Sequence, residues 1–164
     1  MEIIDRFLPI NEFRQIQQVF FSHDITWQFA ETKTRGLIDT ELGIYNYQYV
    51  HKVYNNYRPV SKHFDDLNPV LDKIKPFAID RIKVNAQTRM DKTIEYALHV
   101  DNKNHKGKTG ILYLNTCDGY TVFESGKKVE SIENRMLIFD GRMLHAGSSV
   151  TDCRRRLVVN FNWA

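Results

Sequence analysis

Cysteine is scarce in this 164-residue chain, with only Cys117 and Cys153 present. They are too few and too far apart in sequence for a thiolate metal site or a disulfide framework, so both read as ordinary thiols. No apolar run is long enough to suit a membrane span. The start Met1-Glu2-Ile3-Ile4-Asp5 lacks the basic-then-apolar layout of a signal peptide. A soluble, cytoplasmic protein is the expectation. Charge of one sign is scarce too: 23 Lys and Arg against 20 Asp and Glu leave a formal net charge of +3. The basic residues are scattered apart from Lys103 to Lys108 and Arg154 to Arg156, which gives nucleic-acid binding little support. Internal repeats, low-complexity tracts and linkers are lacking as well. One domain over 1–164, long enough to bury a single core, is expected.

The first half carries helical spacing. Ile10, Phe13, Ile16, Val19 and Phe20 fall on one face of a helix over Ile10 to Phe21, with Asn11 as its N-cap. Trp27 to Tyr57 is aromatic, with Tyr45, Tyr47, Tyr49, Tyr54 and Tyr57, and reads as a strand or an extended lid over a substrate. Ser61 to Lys75 spaces Phe64, Leu67, Leu71 and Ile74 for one helix, or for two with Asn68-Pro69 opening the second; Pro76 ends it. From Phe77 onward the pattern changes to short strands between polar turns. The candidates are Ala78 to Thr88, Thr93 to Val100, Gly110 to Leu114, Thr121 to Glu124, Glu130 to Ile132, Met136 to Phe139 and Arg156 to Trp163. Seven such strands point to an antiparallel sandwich or jelly roll. The fold class is therefore mainly β with N-terminal helices (α+β), a helical part over 1–76 packing on a jelly-roll core over 77–164. The polar run 102–108 reads as an exposed loop, with His105 in solvent.

His99-Val100-Asp101 is the triplet that carries chemistry. A His-x-Asp pattern alone is weak, and a second copy stands at His63-Phe64-Asp65. Context separates them. Around the first, Ile94, Tyr96, Leu98 and Val100 alternate with Glu95, Ala97, His99 and Asp101, so both candidate ligands leave one face of a strand and an apolar face lies opposite. Around the second the helical spacing puts the copy on a solvated helix face. A mononuclear iron(II) oxygenase site needs two neutral imidazoles and one carboxylate on one side of the metal, with the remaining positions open. His145, after Met136-Leu137-Ile138-Phe139 and the turn Asp140-Gly141-Arg142, is the candidate third ligand beside His99 and Asp101.

A dicarboxylate cosubstrate would need a buried guanidinium at its far end. In the last strand Arg156 shares a face with Val158, Asn160 and Asn162, while Leu157, Val159, Phe161 and Trp163 form the strongly apolar face. Arg155 would instead put Leu157 and Val159 inside the barrel. The polar face favours Arg156, and Arg155 stays open.

These segments together resemble the iron(II)- and 2-oxoglutarate-dependent dioxygenases, in their prolyl-hydroxylase-like branch. The resemblance covers about Phe77 to Trp163. It rests on His99-Val100-Asp101-Asn102, Ile111-Leu112-Tyr113-Leu114-Asn115, Gly119-Tyr120-Thr121-Val122-Phe123, Phe139-Asp140 before His145, and the arginines before Leu157. It implies a double-stranded β-helix of cupin-like form, with Fe(II) held by His99, Asp101 and His145. It further implies 2-oxoglutarate anchored by Arg156 or Arg155 with Tyr113, and dioxygen consumed as succinate and CO2 are released. Hydroxylation of a peptidyl proline, another amino-acid side chain or a small molecule is the implied activity. The segment at Gly119 has one glycine where relatives often have two, and the sequence of the helical N-terminal half carries none of the family's motifs. Two other readings compete: a jelly-roll binding protein without catalysis, and a cupin-type metalloenzyme that does not use 2-oxoglutarate.

Overall fold

The computed structural model describes residues 1–33, 40–101 and 107–164. The polar run 102–106, with His105 and Asn102, lies outside the described residues, as do 34–39. Strand β1 (Glu2–Ile4) leads into helix α1 (Ile10–Phe21), followed by β2 (Gln28–Ala30), β3 (Gln48–Asn55), β4 (Arg58–Pro59) and helix α2 (Asn68–Ile74). The second half supplies β5 (Ile79–Thr88), β6 (Lys108–Tyr113), β7 (Tyr120–Phe123), β8 (Lys128–Glu130), β9 (Met136–Asp140), β10 (His145–Gly147) and β11 (Arg155–Trp163). The major sheet runs β1-β9-β6-β11-β5-β3-β2, with β4 on β3, and the minor sheet runs β10-β7-β8. All the paired strands are antiparallel.

Alternation along the major strands makes two cores. Leu157, Val159, Phe161 and Trp163 of β11 join Ile82, Val84 and Ala86 of β5 and the buried helix residues Phe13, Ile16 and Phe20. Each fully buried Leu, Ile or Phe there contributes about 1.5–3 kcal/mol. The opposite faces meet the minor sheet around Ile111, Tyr113, Phe123, Val129, Leu137, Phe139 and Val158. Two antiparallel sheets closed on this inner core form the expected jelly roll. Among the described residues no helix is long and apolar enough to cross a membrane.

Several expectations are corrected. Residues 1–76 are not simply a helical layer: β1 pairs with β9, and β2 and β3 extend the major sheet from β5. The reason for β3 is its run of tyrosine and valine, side chains that suit a pleated surface. Helix α1 begins at Ile10 with Pro9 at the cap position and no side-chain cap bond, so Asn11 lies inside the first turn. The Ser61 to Lys75 region follows the second of its two readings, a 3-10 turn (Asp65–Leu67) preceding α2, which opens at Asn68-Pro69 and ends with Lys75 left-handed at φ 46°. Thr93 to Val100 forms no named strand and pairs through isolated bridges, Glu95 to Ser148 and His99 to His145. Ile94 and Tyr96 are buried as expected, whereas Leu98 is exposed. Cys117 and Cys153 are not far apart in space: their sulfurs and an Asp152 carboxylate oxygen lie within 4.8 Å of one another.

Candidate metal and cosubstrate site

Two reciprocal backbone hydrogen bonds, His99 N to His145 O at 2.9 Å and His145 N to His99 O at 3.0 Å, set the two histidines side by side. Their ring centroids are 4.7 Å apart. Asp101, two residues past His99, projects to the same side. His99 Nε2 lies 3.9 Å from Asp101 Oδ1, and His145 Nε2 lies 3.7 Å from Asp101 Oδ2. One ligand atom from each of the three falls within 4.8 Å of the other two.

The surrounding bonds prepare these atoms for a cation. His145 Nδ1 donates to Met143 O at 2.9 Å, and His99 Nδ1 faces Ala97 O at 3.3 Å. A carbonyl only accepts, so each Nδ1 is the donor there and each Nε2 is the ring nitrogen that faces Asp101. Burial, reinforced by the charge of His145, lowers His99 to about 4 and keeps its ring neutral. Burial alone would raise Asp101. The charges of His145, Lys83 and Arg81 and the bond from Asn162 outweigh it and hold the carboxyl below its ordinary range. Asp101 also accepts from Arg81 Nη2 at 3.2 Å, Thr109 Oγ1 at 3.2 Å and Asn162 Nδ2 at 3.1 Å. Two imidazoles and one carboxylate on one side match the donor set of a mononuclear iron(II) oxygenase site.

A cavity walled by His99, His145, Asn160, Lys83, Thr121 and Arg156 joins this triad to the start of β11. Arg156 is only 5 % exposed, points into the cavity and donates from Nη2 to Thr121 Oγ1 at 3.4 Å. Its buried Nε has no hydrogen-bond partner among the described residues, which suits an incoming carboxylate. Arg155 turns the other way, donating to Phe21 O at 3.1 Å and lying 4.9 Å over the Phe21 ring. Of the two arginines that alternation left open, Arg156 lines the cavity together with His99 and His145, and Arg155 does not. Tyr113 is fully buried behind the cavity wall, its hydroxyl bonded to Thr121 Oγ1 at 2.8 Å and its ring 5.4 Å from the Arg156 guanidinium carbon.

The second triplet is not on a solvated helix face. His63 precedes the 3-10 turn, its side chain is 13 % exposed, and Nδ1 bonds Asp66 rather than Asp65. Its ring packs on Phe20 and His51. Sequence reading missed Lys33, Lys83, Asn85, Gln87 and Thr121, all of which line the cavity. For β5 a signal existed: Arg81, Lys83, Asn85 and Gln87 alternate with apolar Ile82, Val84 and Ala86, a polar face on a strand with a buried back. Lys33 stands in a segment with no periodicity to reveal it.

No family model matches the sequence, and no curated protein matches it. The fold, in contrast, has clear relatives among solved structures. One is a prolyl hydroxylase from Trichoplax adhaerens in complex with a hypoxia-inducible-factor peptide fragment, with TM-score 0.64 and 15% identity, 99% of this chain and 82% of that one being covered. Another is HygX from Streptomyces hygroscopicus, with nickel and 2-oxoglutarate bound, with TM-score 0.61 and 10% identity over 99% and 81%. A third is the epimerase SnoN in complex with Fe3+, α-ketoglutarate and nogalamycin RO, with TM-score 0.69 and 10% identity over 98% and 77%. The chain therefore has the jelly-roll fold found in prolyl hydroxylases and other 2-oxoglutarate-iron oxygenases.

Proposed function

We propose that this protein is an iron(II)- and 2-oxoglutarate-dependent oxygenase that hydroxylates an amino-acid side chain, with peptidyl proline the leading candidate. The observation that carries this reading is one cavity lined both by His99 and His145, whose ring nitrogens lie beside the Asp101 carboxylate, and by the buried Arg156. In it, His99, Asp101 and His145 hold Fe(II), and Arg156 binds the far carboxylate of 2-oxoglutarate as a planar two-point partner. Tyr113 acts behind Thr121, fixing the hydroxyl that faces Arg156. The bound iron and cosubstrate supply dioxygen activation, with decarboxylation to succinate and CO2 coupled to oxidation of the substrate. Arg81, Thr109 and Asn162 hold the Asp101 carboxylate in place, which keeps one oxygen directed at each imidazole. The hypoxia-inducible-factor peptide held by the Trichoplax relative supports a peptide as substrate.

The test is spectroscopic first and chemical second. Anaerobic protein with iron(II) and 2-oxoglutarate should show a weak visible charge-transfer band, absent from Asp101→Ala. Substrate-stimulated succinate formation should fall at least a hundredfold in the same variant. A wild type without the band favours a jelly-roll binding protein or a cupin-type metalloenzyme and overturns the proposal, as does undiminished turnover in Asp101→Ala.

A further inference from the structure

Gly147 lies two residues beyond His145 in β10, so it faces the same cavity, opposite Thr121 of β7. A Cβ placed there would stand 3.4 Å from Lys33 Nζ and 3.5 Å from Arg156 Nη1. Two cations from distant parts of the chain therefore converge on the one position in this strand where a side chain is missing. Lys33 is held there by three contacts. Its backbone N–H donates to Asn46 O at 2.9 Å, its ammonium donates to Gln87 Oε1 at 3.1 Å, and the ammonium lies 3.5 Å from the centroid of the Tyr96 ring. Gln87 is fixed in turn by bonds from its amide to Tyr47 O at 3.2 Å and to the Tyr96 hydroxyl. Neither Lys33 nor Arg156 has a carboxylate partner among the described residues.

We infer that Lys33 is a second anchor for the far carboxylate of the cosubstrate, closing with Arg156 on the space that Gly147 leaves. This rests on the oxygenase reading above and adds to it a residue from outside the jelly-roll core. Electrostatics support it. Burial, with the charges of Arg156 and Lys83, holds Lys33 well below the ordinary lysine range, and a carboxylate set between Lys33 and Arg156 would favour the charged ammonium and offset the repulsion between the two groups. The keto-acid end would meet the metal that the triad would hold, so Lys33 distinguishes a dicarboxylate from a monocarboxylate and has no part in holding the metal.

The experiment is calorimetric titration of the nickel(II)-loaded protein with 2-oxoglutarate and with 2-oxopentanoate, which has the same carbon chain without the far carboxylate. Lys33→Met should weaken 2-oxoglutarate by about 10–100-fold, the value of one charge-assisted hydrogen bond, and leave 2-oxopentanoate within about threefold. Lys33→Arg should restore most of the loss, which separates the charge from a general effect on folding. Unchanged 2-oxoglutarate affinity in Lys33→Met, or equal weakening of both ligands, overturns the anchor while the oxygenase reading stands. A wild type that binds neither ligand overturns that reading and the anchor with it.

Discussion

Gly119 lies against the stem of Arg156: a Cβ at residue 119 would stand 2.6 Å from Arg156 Cδ and 3.2 Å from Nε. The first distance is shorter than non-bonded carbons tolerate, so any larger residue there must displace the arginine. Gly119→Ala should therefore lower 2-oxoglutarate affinity by about tenfold, since a buried charge-assisted bond is sensitive to small shifts. Nickel(II) affinity, which depends on the triad, should stay within about twofold. Calorimetry with metal alone and then with 2-oxoglutarate checks both halves, and an unaltered 2-oxoglutarate titration would show that Arg156 does not need this space.

The two adjacent arginines make a second comparison. Arg156 points inward to Thr121, while Arg155 points outward to Phe21 of α1. Arg156→Ala should weaken 2-oxoglutarate by about a hundredfold or more, because it removes a buried charged donor pair. Arg155→Ala should leave that affinity alone and cost up to about 1–2 kcal/mol of stability through the lost contacts with Phe21. The reverse ranking in a binding titration would mean that the strand register places the wrong arginine in the cavity.

Much of this arrangement was legible in the sequence, and the parts that were not have physical causes. The β11 alternation could be read because one face is uniformly apolar, at Leu157, Val159, Phe161 and Trp163, and the other is mainly polar, with Asn160 and Asn162 beside Val158. The His99 and Asp101 pairing follows from a period of two. Residues His145–Gly147 form a strand too short to show any period, so β10 was invisible, although His145 itself was picked out by its chemistry. Lys33 reaches the cavity from a single turn after β2, a tertiary placement that no local pattern encodes. The proximity of Cys117 and Cys153 has the same origin, since sequence separation does not measure distance once antiparallel strands return the chain. His63 misled because apolar spacing on both sides of a 3-10 turn imitates one continuous helix.

Metal binding should be visible in stability. The triad gathers two imidazoles and a carboxylate in the folded chain alone, because His145 comes from a strand distant in sequence. Any ion bound there stabilises the native state by mass action, by about 2.7 kcal/mol at a hundred times its Kd. For a chain of this size that corresponds to a rise of about 5–10 °C in Tm. Thermal melts with nickel(II) and with excess chelator measure the difference. Asp101→Ala should abolish it, and a shift that survives in that variant would locate the ion elsewhere.

Asn134 ties the start of the chain to the major sheet, and its loss should be among the more costly single changes. The residue is buried, its φ is 59°, its Oδ1 accepts from Leu8 N at 2.9 Å, and its Nδ2 donates to Leu8 O at 2.9 Å. Its backbone N–H also donates to Tyr113 O at 3.0 Å, and its carbonyl accepts from Phe7 N at 2.8 Å. Asparagine suits this place because it tolerates the left-handed region and offers a donor and an acceptor together. Asn134→Ala leaves Leu8 N and O unpaired in the interior and adds about 1 kcal/mol of backbone strain, for a total of about 3–5 kcal/mol. Asn134→Gly relieves the strain but not the lost bonds, and should be about 1 kcal/mol less harmful. Urea denaturation of the two variants beside the wild type measures both effects. Equal stabilities for alanine and glycine would remove the strain from this account, and a loss below about 1 kcal/mol for alanine would mean that water or a shifted chain replaces the Leu8 bonds.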